Sequence, residues 1–279
     1  MNSRSVNPHL ASEPAIVHRI PIGDCELAVE EQPGPGTPVV LLHGFPLDRR
    51  MWRGQRPALT DYRLLLPDLR GHGQSDASPP PYSMVFLAED LRQVLDHLGL
   101  DRIALGGLSM GGYVALAFAA RYPERLRGLM LLDTHPKADP PAVRHTRADQ
   151  ATRVRRDGPA AVADELAARL VGGREVDPAV IDLTREMILG TSRDGMVGAL
   201  EGMAMRPDST PGLAAIACPT LILVGSDDTI TPPAMACEMA AAIPGADLVE
   251  IPGAGHLAPL ERPDLVNEAL ARFLARAAG

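Results

Sequence analysis

The pentapeptide G-L-S-M-G at residues 107–111 constrains the fold of this chain more than any other stretch. It joins residues 102–106, typical of a short buried strand, to the apolar run 112–120, typical of a buried helix. A serine at a tight strand-to-helix turn adopts strained backbone angles and needs small neighbours. The pattern therefore predicts that Ser109 stands at a helix N-terminus, where free N–H groups favour an oxyanion. A glycine-rich turn in a packed domain is the alternative, because the pattern also occurs by chance.

A second loop is expected to bring a backbone donor to this serine. The residues H-G-F-P at 43–46 directly follow the apolar run 39–42. In this position the N–H of Phe45 and the N–H of Met110, the residue after the serine, form an oxyanion hole with two donors.

Two later loops carry an acid and a base. The strand-like run 221–225 enters a turn with adjacent carboxylates, Asp227 and Asp228, and His256 lies in a glycine-flanked loop after the run 247–251. Serine is a poor nucleophile at neutral pH, so it needs a histidine to accept its proton and an aspartate to orient that histidine. The joint occurrence of these loops is more specific than any one of them.

These motifs resemble those of the α/β-hydrolase superfamily over nearly the whole chain. The resemblance also includes P-D-L-R-G-H-G-Q-S at 67–75, and the order Ser109, Asp228, His256 is the order of this superfamily. The chain is most similar to small bacterial esterases, enol-lactone hydrolases and cofactor-free perhydrolases with an H-G-F-P loop and an S-M-G-G elbow. It departs from haloalkane dehalogenases and epoxide hydrolases, whose nucleophile is an aspartate.

Asp133 competes with Asp228 for the role of the acid. Asp228 lies three residues after Gly225, where the resemblance places the acid, whereas Asp133 directly follows the sixth strand, where some superfamily members keep theirs. Capping the next segment is the alternative role for Asp133. The expected triad is Ser109, Asp228 and His256.

The expected fold class is α/β: an α/β-hydrolase fold with a mostly parallel central sheet, helices on both faces and a helical cap insertion. Apolar runs predict an opening hairpin and six further strands, at 16–22, 25–30, 39–42, 62–66, 102–106, 128–132, 220–224 and 247–251. Core helices are predicted at 84–98, 112–122, 232–243 and 263–277.

The stretch 134–212 breaks the alternation of strands and helices. It has helical patterning without a convincing strand, with helices predicted at 141–157, 159–170, 178–189 and 194–205. The resemblance implies a cap that roofs the active site. We therefore divide the chain into a first core part at 1–133, a cap at 134–212 and a second core part at 213–279.

Two further residues are weaker candidates for substrate binding. Trp52 either lines the acyl pocket or packs beneath the cap. His135 lies where the chain enters the cap, and it either contacts substrate or acts as a polar hinge. The resemblance also suggests a cis peptide bond before Pro46.

Composition narrows the class of protein. A formal net charge of −8, with no basic run longer than 153–156, argues against nucleic acid as a partner. The three cysteines lack a C-x-x-C pair, so we expect reduced, buried thiols and neither a disulfide framework nor a zinc site. Residues 1–14 lack an apolar signal-peptide core, and the apolar run 103–120 is better explained by the elbow than by a membrane span. A cytoplasmic enzyme without membrane attachment is expected, and the oligomeric state stays open.

The motifs and the resemblance together predict a serine hydrolase. It would cleave a small, fairly apolar carboxylic ester or lactone through an acyl-enzyme, without metal or organic cofactor. Hydrogen peroxide in place of water would make it a perhydrolase, and a C–C bond hydrolase is a further alternative on the same triad. A non-turnover receptor for a small ligand is the alternative from a different class.

Overall fold

The central sheet has eight strands in the computed structural model, which describes residues 16–172 and 175–277. The strands are β1 (Ile16–Ile22), β2 (Cys25–Gln32), β3 (Gly36–Leu42), β4 (Tyr62–Pro67), β5 (Ile103–Leu108), β6 (Leu126–Leu132), β7 (Thr220–Gly225) and β8 (Asp247–Ile251). Their order across the sheet is β1-β2-β4-β3-β5-β6-β7-β8. The pairs β1/β2 and β2/β4 are antiparallel and the others are parallel. The predicted α/β fold class is confirmed.

The helices lie close to their predicted positions. They are α1 (Met84–His97), α2 (Met110–Arg121), α3 (Pro141–Asp157), α4 (Ala163–Leu170), α5 (Pro178–Gly190), α6 (Arg193–Ala204), α7 (Pro233–Ala242), α8 (Ala258–Glu261) and α9 (Pro263–Ala277). The predicted helix 159–170 is divided, because a 3-10 turn at Pro159–Ala161 precedes α4. The short helix α8 was not predicted.

Parallel pairing explains why the strand-like runs were recognisable. Strands β5 and β7 are buried along their entire length, and both are nearly continuous apolar runs. Such runs are typical of parallel strands covered by helices on both faces. Parallel strands also end at the same edge of the sheet, so the loops after β3, β5, β6, β7 and β8 meet there.

Helices α3 to α6 follow β6 and precede β7, in the stretch that the sequence predicted to be helical. Helix α3 packs against α6, and α4 packs against α5. The backbone N–H and the hydroxyl of Ser192, the N-cap of α6, both donate to the carbonyl oxygen of Gly71, at 3.0 and 2.9 Å. A Cβ added to Gly195 would lie 2.0 Å from that same oxygen, so α6 touches the loop after β4 backbone to backbone.

Other expectations concern the surface and the termini. In the described ranges, no helix combines the length and apolar character needed to cross a membrane. The three cysteines are free thiols, but Cys25 and Cys218 are only partly buried and Cys237 is exposed, so the expectation of buried thiols is wrong. The prediction about a signal peptide at 1–14 lies outside the described residues.

Candidate active site

Ser109 occupies the turn between β5 and α2. Its backbone angles, φ 51° and ψ −111°, lie in a region that side chains other than glycine rarely adopt. A Cβ on Gly107 would lie 2.2 Å from the carbonyl oxygen of Gly111, and a Cβ on Gly111 would lie 2.4 Å from that of Leu42. The glycines of the motif are therefore required by close backbone contacts.

His256 and Asp228 are joined in the loops after β8 and β7. Nδ1 of His256 lies 2.8 Å from Oδ2 of Asp228, and the side chains are 2% and 0% exposed. Asp228 also accepts hydrogen bonds from the hydroxyl of Thr231 at 2.6 Å and from the N–H of Ile230 at 2.7 Å. Burial alone would raise the pKa of Asp228, but the hydrogen bonds from His256 and Thr231 outweigh it and lower that pKa to about 2. The carboxylate is therefore ionised and can hold the imidazole in one orientation.

The backbone around His256 is held by Glu261. Its carboxylate accepts from the N–H of Gly255 at 2.9 Å and from the N–H of Leu257 at 3.1 Å, the two residues that flank the histidine. Glu261 is 6% exposed, at the end of α8. Sequence reasoning missed this residue and Thr231, although an acidic residue five positions after the histidine was a usable signal.

We expect Glu261→Gln to destabilise the fold by about 1–3 kcal/mol, because an amide offers one acceptor oxygen where two buried N–H groups need one each. Unfolding in urea, followed by circular dichroism, measures the change. Glu250→Gln on the exposed side of β8 is the matched control. An unchanged unfolding midpoint in Glu261→Gln would show that the loop does not depend on the second acceptor.

Two backbone donors flank Ser109. Met110 is the first residue of α2, and Phe45 lies in the loop after β3. Within the part of the chain that the structure describes, neither N–H has a protein acceptor. The peptide bond between Phe45 and Pro46 is cis, as the resemblance suggested. That these two N–H groups form an oxyanion hole stays a prediction.

Asp133 is buried beside this cluster but does not pair with the histidine. Its Oδ1 accepts from the N–H of Gly225 at 2.8 Å, and it is 0% exposed. Burial, together with the neighbouring Asp228 carboxylate, raises the pKa of Asp133 well above its usual range. Its environment favours the neutral acid, whereas that of Asp228 favours the anion.

A cavity of about 140 Å³ brings Ser109, His256 and Phe45 together under the helical segment. Helices α3, α4 and α6 contribute Val143, Leu166 and Met203 to its lining. A larger cavity of about 420 Å³ shares Tyr113 with this one, but neither Ser109 nor His256 lines it. The smaller cavity is the one that meets the reactive side chains.

Trp52 and His135 do not line the smaller cavity. The Trp52 side chain is fully buried. Nε2 of His135 lies 3.2 Å from the hydroxyl of Tyr113, which does line it. For these two residues, contact with substrate stays a prediction.

In the described ranges, 16–172 and 175–277, no group of three or more His, Cys, Asp or Glu side chains is placed to hold a metal ion.

Known proteins resemble this chain in sequence and in fold. A family model described as the alpha/beta hydrolase fold matches residues 37–263. A thermophilic esterase from Thermogutta terrifontis, solved with malate bound, is 45% identical; the match covers 95% of this chain and 100% of that chain, with a TM-score of 0.89. The enol-lactonase from Burkholderia xenovorans is 31% identical, with 91% and 98% covered and a TM-score of 0.84.

A curated relative also matches most of this chain. The 3-oxoadipate enol-lactonase 2 of Acinetobacter baylyi is 28% identical over 229 residues, which are 81% of this chain and 84% of that protein. The family model matches residues 37–263, which include the strands from β4 to β8, nearly all of β3, the elbow and the helical segment, so the chain belongs to the α/β-hydrolase superfamily.

Proposed function

We propose that this chain is a serine hydrolase that cleaves a small carboxylic ester or lactone. The observation that carries the proposal is the cavity where Ser109 and His256 meet, with His256 held by the ionised Asp228. Ester-acting relatives support it, since an esterase and two enol-lactonases match most of the chain. The small volume of the cavity favours a small substrate.

The proposed reaction begins when Ser109 attacks the carbonyl carbon of the ester. His256 accepts the hydroxyl proton, and Asp228 stabilises the imidazolium that forms. The tetrahedral oxyanion is bound by the N–H groups of Phe45 and Met110. When the intermediate collapses, His256 returns the proton to the leaving alcohol, and an acyl-enzyme remains.

Water then completes the cycle. His256 removes a proton from the water molecule as it attacks the acyl carbon. When the second tetrahedral intermediate collapses, His256 returns that proton to the Ser109 oxygen, and the acid is released. The Ser109 hydroxyl makes no hydrogen bond to another described side chain, so its contact with His256 has to form when substrate binds. Catalytic hydrogen bonds often tighten only in the substrate complex.

The direct test is a series of p-nitrophenyl esters of increasing chain length, with simple lactones alongside. Turnover together with stoichiometric labelling of Ser109 by a fluorophosphonate would support the enzyme. A ligand that raises the melting temperature without any product would instead support the non-turnover receptor. A hydrogen peroxide titration of the same assay separates a perhydrolase from a hydrolase.

We also propose that residues 134–212 act as the cap that sets substrate choice, because α3, α4 and α6 line the cavity. Leu166→Ala should shift the preferred acyl chain towards longer substrates, since each added methylene gains about 0.8 kcal/mol when the enlarged cavity buries it. The measurement is kcat/KM across the ester series. Leu189→Ala, an exposed leucine on α5, is the control. An equal loss on every ester would show that Leu166 serves folding alone.

A further inference from the structure

The active-site cavity contains more positive charge than its reaction requires. Arg147 of α3 and Arg169 of α4 both line it, together with the neutral side chains of Thr146 and Gln150. None of the described residues that line this cavity is an aspartate or glutamate. The whole chain carries a formal net charge of −8, whereas this small cavity is lined by two arginines.

Arg147 is only partly neutralised. Its Nε donates to Oδ2 of Asp139 at 2.5 Å, but Oδ1 of Asp139 lies 2.7 Å from Arg206, so one carboxylate serves two guanidinium groups. Burial and the neighbouring Arg206 lower the pKa of His135, beside this pair, to about 4. The imidazole is therefore neutral at pH 7, and the cluster retains one positive charge.

Arg169 has no hydrogen bond or ion pair with another described residue. The two acidic residues earlier on α4 are engaged elsewhere. Asp164 pairs with Arg185 at 2.6 Å, and Glu165 pairs with Arg153 at 2.8 Å. The guanidinium of Arg169 is therefore available to an anion that enters the cavity.

The apolar side chains beside this arginine complete the subsite. Leu166 and Leu170 also line the cavity, three residues before and one residue after Arg169 on α4. Residues three or four apart share one face of a helix, so Leu166 adjoins both. The two leucines therefore line the same cavity as Arg169 and Ser109.

We propose that the substrate carries a carboxylate, which Arg169 and Arg147 bind while its ester or lactone carbonyl lies at Ser109. Guanidinium groups bind carboxylates strongly because parallel N–H donors match the two oxygens. A short methylene spacer that packs on Leu166 and Leu170 would join the two groups. This inference rests on the proposed function, and it replaces the fairly apolar substrate that the sequence suggested with an anionic one.

The test compares two esters with one leaving group, the anionic mono-p-nitrophenyl glutarate and the neutral p-nitrophenyl valerate. The wild-type protein should have the higher kcat/KM for the glutarate ester. Arg169→Gln should lower that value by about 10- to 100-fold, the range for losing a hydrogen bond to a charged group, mainly through KM. Its kcat/KM for the valerate ester should fall much less, because that ester has no carboxylate for Arg169 to bind.

Arg144→Gln is the matched control. Arg144 lies on α3, one turn before Arg147, and it is exposed like Arg169, but it does not line the cavity. It removes the same unit of charge, so a general electrostatic effect would appear in both variants. An equal loss on both esters in Arg169→Gln, or an equal effect of Arg144→Gln, would overturn the anionic subsite.

A binding measurement separates this inference from the proposed function. Calorimetric titration of glutarate into Ser109→Ala should show binding that Arg169→Gln weakens in the same background. If neither ester is hydrolysed but glutarate binding depends on Arg169, the hydrolase proposal fails and the anion subsite stands. If both esters are hydrolysed and glutarate binding is independent of Arg169, the hydrolase stands and the subsite is wrong.

Discussion

Replacing Ser109 by alanine should reduce ester turnover about a millionfold, the cost of losing the serine in such a triad. The hydroxyl is the atom that bonds to the acyl group, and neither His256 nor the oxyanion donors can replace it. Folding should be unaffected, since alanine meets the same constraint at φ 51° as serine does. The readouts are initial rates on a short p-nitrophenyl ester and the intact mass after treatment with a fluorophosphonate.

Ser209→Ala is the control for this substitution. Ser209 lines the larger cavity, which shares Tyr113 with the active-site cavity. The Ser209→Ala variant should retain both its activity and its labelling at Ser109. Near wild-type turnover in Ser109→Ala, or labelling of a different residue, would contradict the proposed nucleophile.

Asp228→Asn should reduce turnover by roughly four orders of magnitude, because an asparagine amide favours the wrong tautomer of the histidine. The carboxylate now accepts from His256, Thr231 and Ile230, and one amide oxygen cannot accept all three. Since the pKa of Asp228 is about 2, no working pH gives the wild-type protein a neutral side chain here. The measurement is kcat on the smallest ester at saturating concentration.

Asp133→Asn distinguishes the two acids. The surroundings of Asp133 already favour the neutral side chain, and an amide has nearly the same shape and keeps an acceptor for the N–H of Gly225. Turnover should therefore stay near the wild-type value. An exchange of the two phenotypes would move the acid to the end of β6 and leave Ser109 and His256 in their roles. Losses below about tenfold in both variants would favour the receptor, because the triad would then be idle.

Structural features that depend on neighbouring residues in the sequence could be predicted. The bounds of β1 and β8 agree with the pattern to the residue. Those of α3 and α9 do as well, and a proline begins each of these two helices. The elbow was recognisable because close backbone contacts there admit only glycine. The basic run 153–156 lies on α3, where Arg153 and Arg156 form exposed ion pairs.

Features that depend on packing between distant segments were not predictable. Glu261 matters because α8 turns its carboxylate back onto the histidine loop, and no periodicity marks so short a helix. Arg147 and Arg169 look in the sequence like ordinary solvated arginines. They line one cavity only because α3 and α4 both pack over Ser109. Side chains that line a cavity from different helices need no common sequence motif, so their roles can be recognised only in the tertiary structure.

The backbone contact between α6 and the core limits which part of the helical segment α3–α6 can be exchanged between related proteins. Gly71 and Gly195 touch without side chains between them, and the hydroxyl of Thr191 donates to the carbonyl oxygen of Pro46 at 2.8 Å. A transplanted segment would have to bring its own glycine to this junction, or the backbones would collide. A chimera that grafts foreign sequence at 134–190 and retains the native residues from Thr191 onwards keeps the junction intact. The part of this segment that can be exchanged is therefore shorter than the stretch 134–212 that the sequence predicted to be helical.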